Sequence, residues 1–187
     1  MIKVSVDIFL SLLILLILTI PLLIISLLVL FSSPGPILYW SDRIGKNNVI
    51  YSMPKFRTMK IDTPLVDTAN LNSPEKYITS IGKFLRTYSL DELPQVLSVL
   101  AGDMSLVGPR PALPSQFELI NLRTNENIHK VKPGITGLAQ ISGRDNITIN
   151  EKITYDKLYL EKRNLFYDLN ILYKTISAVL RKKNISH

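Results

Sequence analysis

Between Ile8 and Phe31 every residue is apolar except Ser11, Thr19, Pro21 and Ser26, and no charge occurs between Asp7 and Asp42. Few folds accept such a run. It is too long for the apolar core of a signal peptide, and no small-x-small cleavage site comes after it. The next residues are Ser32-Ser33-Pro34-Gly35-Pro36, a helix stop. A straight helix over these 24 residues would cover about 36 Å, enough to cross a bilayer. Pro21 lies inside the run, where it removes a backbone hydrogen bond and crowds the carbonyl four residues back. Two topologies remain open: a kinked spanning helix, or one that bends and returns to the side it entered. Lys3 before the run and Arg43 and Lys46 after it favour one-sided entry, because positive flanks favour the cytoplasm.

The rest of the chain is long enough for one modest core. It also carries the charge. Lys3 and Asp7 cancel within residues 1–31, so the net +7 belongs to residues 32–187. A basic domain beside a membrane segment fits anionic lipid, a phosphate-bearing substrate or nucleic acid. There is no cysteine, which excludes disulfides, zinc–thiolate sites and thiol nucleophiles. With only His129 and His187 present, no Ser-His-Asp triad or histidine metal site can be assembled. The D-x-D pattern with which many nucleotide-sugar enzymes hold a metal is also missing.

Ile37–Trp40 and Val49–Met53 read as strands joined through Gly45-Lys46-Asn47-Asn48, a hairpin. Asp62–Glu75 reads as a loop. Ile81, Phe84 and Leu85 mark a short helix, and a second runs from about Leu90 to Leu100 and stops at Gly102. Residues 104–112 and 131–144 are rich in glycine and proline and read as ordered loops. A helix near Asn150–Lys162 comes next. In the last helix Leu165, Leu169, Leu172, Ile176 and Val179 form one apolar stripe, ending in Arg181-Lys182-Lys183. That stripe suits packing on the core, the membrane interface, or one edge on each.

Four segments could carry chemistry. In Ser89-Leu90-Asp91-Glu92, Ser89 and Glu92 match a capping box. The same geometry leaves a carboxylate at a helix start, where the dipole favours the ionised form, available as a nucleophile or magnesium ligand. Adjacent helical residues do not share a face, so Asp91 and Glu92 are expected to have different roles. In Gly108-Pro109-Arg110-Pro111 two prolines stiffen a loop around an arginine whose fork suits phosphate; a solvated turn is the plainer reading. Lys132-Pro133-Gly134-Ile135-Thr136-Gly137, continuing through Gln140 to Gly143-Arg144, brackets close-approach glycines with cations, but is neither a Walker loop nor a dinucleotide fingerprint. Lys55-Phe56-Arg57-Thr58-Met59-Lys60 reads as a solvated basic strand end, or as a contact to nucleic acid or a lipid phosphate.

In this order the segments resemble the bacterial sugar transferases, the monotopic phosphoglycosyl transferases. The resemblance covers nearly the whole chain. It rests on the apolar helix, Lys55–Met59, Leu90-Asp91-Glu92-Leu93-Pro94-Gln95 through Gly102–Pro111, and Lys132–Gln140 with Gly143-Arg144. It implies that Asp91 attacks the β-phosphate of a UDP-sugar, UMP leaves, and polyprenyl phosphate collects the phosphosugar. Glu92 would help Asp91 organise Mg2+. Arg110, with Pro111, and Arg144 would meet the nucleotide and phosphates, supported by Lys55 and Arg86, and Asp168 would be a further acid near the site. It also implies a helix entering from the cytoplasmic side and bending at Pro21, where Ile20 replaces the serine of some members. The expected architecture is therefore α+β and mainly helical. A re-entrant membrane helix occupies residues 1–33. A cytoplasmic catalytic domain with a short hairpin and interfacial amphipathic helices occupies residues 34–187, on the inner membrane. The resemblance is to the minimal form without the multi-span portion of longer relatives. A homodimer is compatible with it. Nucleic acid is not an expected partner, and a non-catalytic scaffold would not need the acidic pair or Arg110.

Overall fold

The computed structural model describes residues 2–64, 71, 73–143 and 147–180, with no side-chain description at 180. Helix α1 runs over Ile2–Ser32 and is uninterrupted at Pro21. Thr19 and Ser26 each donate a hydroxyl to the carbonyl one turn earlier, those of Leu15 and Leu22. At the far end the chain turns through Gly35, at φ 121°. The carbonyls left beyond the last turn are collected by one side chain. Arg57 donates to Ser33 O (2.7 Å), Pro34 O (2.7 Å) and Pro36 O (2.6 Å), and to the Ser33 hydroxyl. Arg57 is buried. The basic segment at 55–60 is therefore not a solvated strand end: its central arginine closes the exit of α1.

The hairpin forms as expected, with β1 (Leu38–Ile44) antiparallel to β2 (Ile50–Phe56). Next come α2 (Ser80–Thr87), a 3₁₀ turn over Leu90–Gln95, α3 (Val96–Ala101) and β3 (Ser105–Val107). After these come α4 (Phe117–Asn125), β4 (Gly134–Thr136), α5 (Leu138–Ser142), α6 (Ile149–Lys162) and α7 (Leu165–Leu180). The helix expected over 90–100 is thus divided. Pro94 lies within the tight turn, and only the second half is α-helical, ending at Gly102 with φ 93°. The two glycine-proline segments expected as loops contain strands paired in parallel, Ser105 with Gly134 and Val107 with Thr136. Their glycines serve this pairing. A Cβ on Gly134 would stand 2.0 Å from Gly108 N, and one on Gly137 2.1 Å from Gly108 O. Close approach is required, but by backbone.

Helix α1 packs on the rest of the protein along its length. Leu10 and Ile14 join a core of Met53, Val99, Met104, Leu106, Val107, Tyr159 and Ile171. Leu22, Ile25 and Val29 join Phe56 and Leu85. A third core under α4 and α6 holds Leu119, Ile128 and Ile153. Polar contacts fix the first turns: Lys3 pairs with Asp168, and Ser105 donates to Asp7 at 2.8 Å. Both ends of a helix about 46 Å long therefore bond to the same polar domain. Its other faces leave Phe9, Leu16, Ile17, Ile20, Leu23 and Phe31 exposed.

Candidate active site

The segment 89–95 departs from the capping expectation. A capping serine needs extended backbone, but Ser89 is left-handed at φ 55° and makes no side-chain cap. Glu92 is free to turn elsewhere. Its Oε1 accepts from Lys55 Nζ and from Arg110 Nη2, both at 2.9 Å, and Arg110 Nη1 lies 3.4 Å from Oε2. Burial works against its charge, but Arg110 and Lys55 outweigh burial and hold the carboxyl well below the usual range.

Asp91, its neighbour, is 9% exposed and makes no ion pair among the described residues. Burial, then the charge of Glu92, pushes its pKa up, and Lys55 and Arg86 pull only partly against that. At the start of an α-helix the dipole would hold such a carboxylate ionised. Here a 3₁₀ turn replaces the α-helical first turn, and desolvation wins. The two acids do have different surroundings, as their adjacency requires.

Lys55 comes from β2. Arg86 comes from the last turn of α2, with Nε donating to the Thr58 hydroxyl at 2.9 Å. Thr58 also lies against Gly82, where a Cβ would stand 2.1 Å from Thr58 O, so β2's exit and α2 meet backbone to backbone. Arg110 is exposed, Pro111 beside it is buried, and their loop is held at every carbonyl. Gly134 donates to Pro109 O (2.9 Å), Arg123 to Arg110 O (2.7 Å), Arg43 to Pro111 O (3.4 Å) and Ile44 to Ala112 O (2.9 Å). Arg123 is fixed in turn by Asp156, through Nε at 2.9 Å and Nη2 at 2.6 Å.

The structure thus gathers Asp91, Glu92, Lys55, Arg86 and Arg110, with Pro111 supporting the last. Asp168 is placed elsewhere: it bonds Lys3 and the Tyr159 hydroxyl and ties α7 to α1. Arg144 lies outside the described residues. Sequence reasoning missed Arg123 and Asp156, and it read Arg57 as part of a solvated or ligand-contacting basic segment rather than as the clasp on the exit of α1. Arg123 and Asp156 sit 33 positions apart on two helices, and nothing local marks them as a buried pair.

Among the described residues no three acids or histidines form a metal cluster. Two adjacent carboxylates still suit a magnesium ion, which characteristically binds one or two carboxylates and takes its other ligands from phosphate and water. A cation would relieve the unfavourable charge on Asp91.

Comparison with known proteins identifies the family of the chain. The family model described as bacterial sugar transferase matches residues 1–182. The exopolysaccharide production protein ExoY of Rhizobium meliloti is 39% identical over 84% of this chain and 76% of its own length. The UDP-glucose:undecaprenyl-phosphate glucose-1-phosphate transferase of Escherichia coli is 38% identical over 91% of this chain and 38% of its own. The undecaprenyl-phosphate galactose phosphotransferase of Salmonella typhimurium is 36% identical over 79% of this chain and 34% of its own. This chain therefore spans about a third of some relatives and three-quarters of another. With its model matched almost end to end and its acidic pair set among three cations, the chain belongs to the bacterial sugar transferase family.

Proposed function

We propose that the protein is a phosphoglycosyl transferase that moves a sugar 1-phosphate from a UDP-sugar to a polyprenyl phosphate in the membrane, in the assembly of a bacterial polysaccharide. The observation that carries this reading is the contrast within the acidic pair: Glu92 is committed to Lys55 and Arg110, while Asp91 is buried, in no ion pair among the described residues, and beside cations. A carboxylate held in no ion pair is free to approach phosphorus, whereas one already bridged is not.

In the first step an Asp91 carboxylate oxygen forms a bond to the β-phosphorus of the donor. The bond from that phosphorus to the bridging oxygen breaks, and UMP leaves with the electron pair. In the second step an oxygen of polyprenyl phosphate attacks the same phosphorus and Asp91 is released as carboxylate. Lys55, Arg86 and Arg110 offset the negative charge spread over the phosphoryl oxygens. Asp91 and Glu92 would hold Mg2+, which supplies further charge neutralisation to the phosphates when bound.

The membrane reading rests on α1. A straight crossing would separate Lys3 and Ser33 by the bilayer, yet both bond to one polar domain, which supports a helix whose two ends lie on the same side of the membrane. Helix α7 exposes Phe166, Leu169, Tyr173 and Ile176 and leads into Arg181-Lys182-Lys183, a pattern suited to the lipid interface. The relatives act, by name, on glucose and galactose phosphates, so the donor sugar is an experimental question. Purified protein in lipid, given undecaprenyl phosphate, magnesium and a panel of UDP-sugars, should release UMP with at least one. Release of the free sugar or of UDP would contradict the reading.

A further inference from the structure

Lone exposed apolar side chains are ordinary on a protein surface, but here several come from separate elements that pack against the last turns and exit of α1. Phe31, in its last turn, is exposed. Ile61, beyond β2, is 70% exposed, and its Cδ1 would stand 3.3 Å from a Cβ on Gly35 in the exit turn. Phe84, 50% exposed, comes from α2, whose Ile81 and Leu85 pack with Ile25 and Val29 of α1. Trp40, 57% exposed, comes from β1.

The pleat fixes the side of the hairpin on which Trp40 stands. Leu38 packs into the cluster of Ile25 and Val29, so the face carrying Leu38 is the face toward the C-terminal half of α1. Residues two apart on a strand share a face, and the register has no bulge, so Trp40 stands on it too. Lys55, opposite Tyr39, belongs to the other face, where it reaches Glu92.

We propose that Trp40, Ile61, Phe84 and Phe31 form a collar that seats the domain in the lipid headgroup layer around the exit of α1. Phe31 belongs to α1 itself and extends its exposed apolar residues Ile20, Leu23 and Leu27 toward the exit, which selects lipid over a protein partner. Exposed Lys60 and Lys83 stand next to Ile61 and Phe84, the pairing of amphipathic cation with apolar anchor found at anionic membrane surfaces. Tryptophan is favoured at that depth. The collar sets the height of the Asp91 site above the bilayer, through β2 and α2, which supply Lys55 and Arg86. This rests on the membrane reading of α1.

Trp40 is the sole tryptophan, so its fluorescence reports the collar without labelling. The full chain, reconstituted in vesicles containing anionic lipid, should float with them. Its emission should then fall more with lipids brominated beside the headgroup than with lipids brominated at the chain end. Phe84→Trp in a Trp40→Phe background should behave alike. Flotation with emission untouched by either brominated lipid would overturn the collar and leave the anchor standing. Failure to float would instead overturn the membrane reading itself, and the collar with it. Emission that is indifferent to brominated lipid but shifts with the protein-to-lipid ratio would assign the surface to a second copy and overturn the lipid proposal.

Discussion

Two carboxylates in this molecule meet arginine, and the outcomes are opposite. Asp156, 1% exposed, is held by Arg123 through two nitrogens, yet burial outweighs the pair and keeps its pKa above the ordinary value. Glu92 is held by Arg110 and Lys55 together, and its pKa is driven well down. One pair is sealed beneath α4 and α6; the other has Arg110 on its open side. The sealed pair is costly to ionise and serves to hold a backbone carbonyl, that of Arg110. The open pair keeps cations beside Asp91 and leaves the arginine able to meet an incoming phosphate. A buried ion pair is weak evidence for stability, but it fixes geometry, and here the sealed pair fixes the loop that the open one uses.

The largest effect that would break this division is at Asp91. Asp91→Asn should lower UMP release by about 10³-fold or more, as loss of a nucleophile does. It should not lower the melting temperature. The folded-state pKa of Asp91 is raised, so its contribution to stability is full below the unfolded pKa and is lost as pH rises through the folded one; at neutral pH its charge burdens the fold. Inactivity together with unfolding would count against the assignment. Asp156→Asn should show the reverse emphasis, a loss of about 3–5 kcal/mol in denaturant unfolding from stranding Arg123. Arg123→Met with Asp156→Leu should regain much of that stability but not the full rate, because the Arg110 carbonyl loses its donor. Arg110→Lys should keep the fold and lower kcat/KM by about 10²-fold, as removal of an oxyanion donor does. The smallest effect sharpens the pair itself. Glu92's charge raises Asp91, so Glu92→Gln should move the acidic limb of the kcat/KM–pH profile to lower pH; a limb that stays put would separate the two groups.

Much of this frame is legible in the sequence. Gly45–Asn48 between two strand-like runs marks the hairpin, and the α6 and α7 patterns mark their helices. The segments around Lys55, Asp91 and Arg110 contain residues that the structure brings together. Its environment is not legible, because Ser89-x-x-Glu92 satisfies the capping pattern while the left-handed Ser89 prevents the cap. The β3–β4 pairing is hidden because three-residue strands have no periodicity, and glycines needed for backbone contact look like glycines needed for a ligand. Helix α4 escapes because Phe117 in its first turn faces outward while Arg123 faces inward, inverting the usual pattern. Arg57 looks like a surface cation until the residues after α1 fold around it.

The claim on which these readings depend is that Asp91 carries the phosphosugar. Protein incubated with its UDP-sugar and magnesium but no polyprenyl phosphate, then quenched and digested, can be read by mass spectrometry. The expected result is the mass of one sugar phosphate on the peptide containing Asp91, lost when polyprenyl phosphate is added before quenching and absent from Asp91→Asn. Full turnover with the acceptor but no adduct in its absence, or an adduct on any other residue, would contradict it.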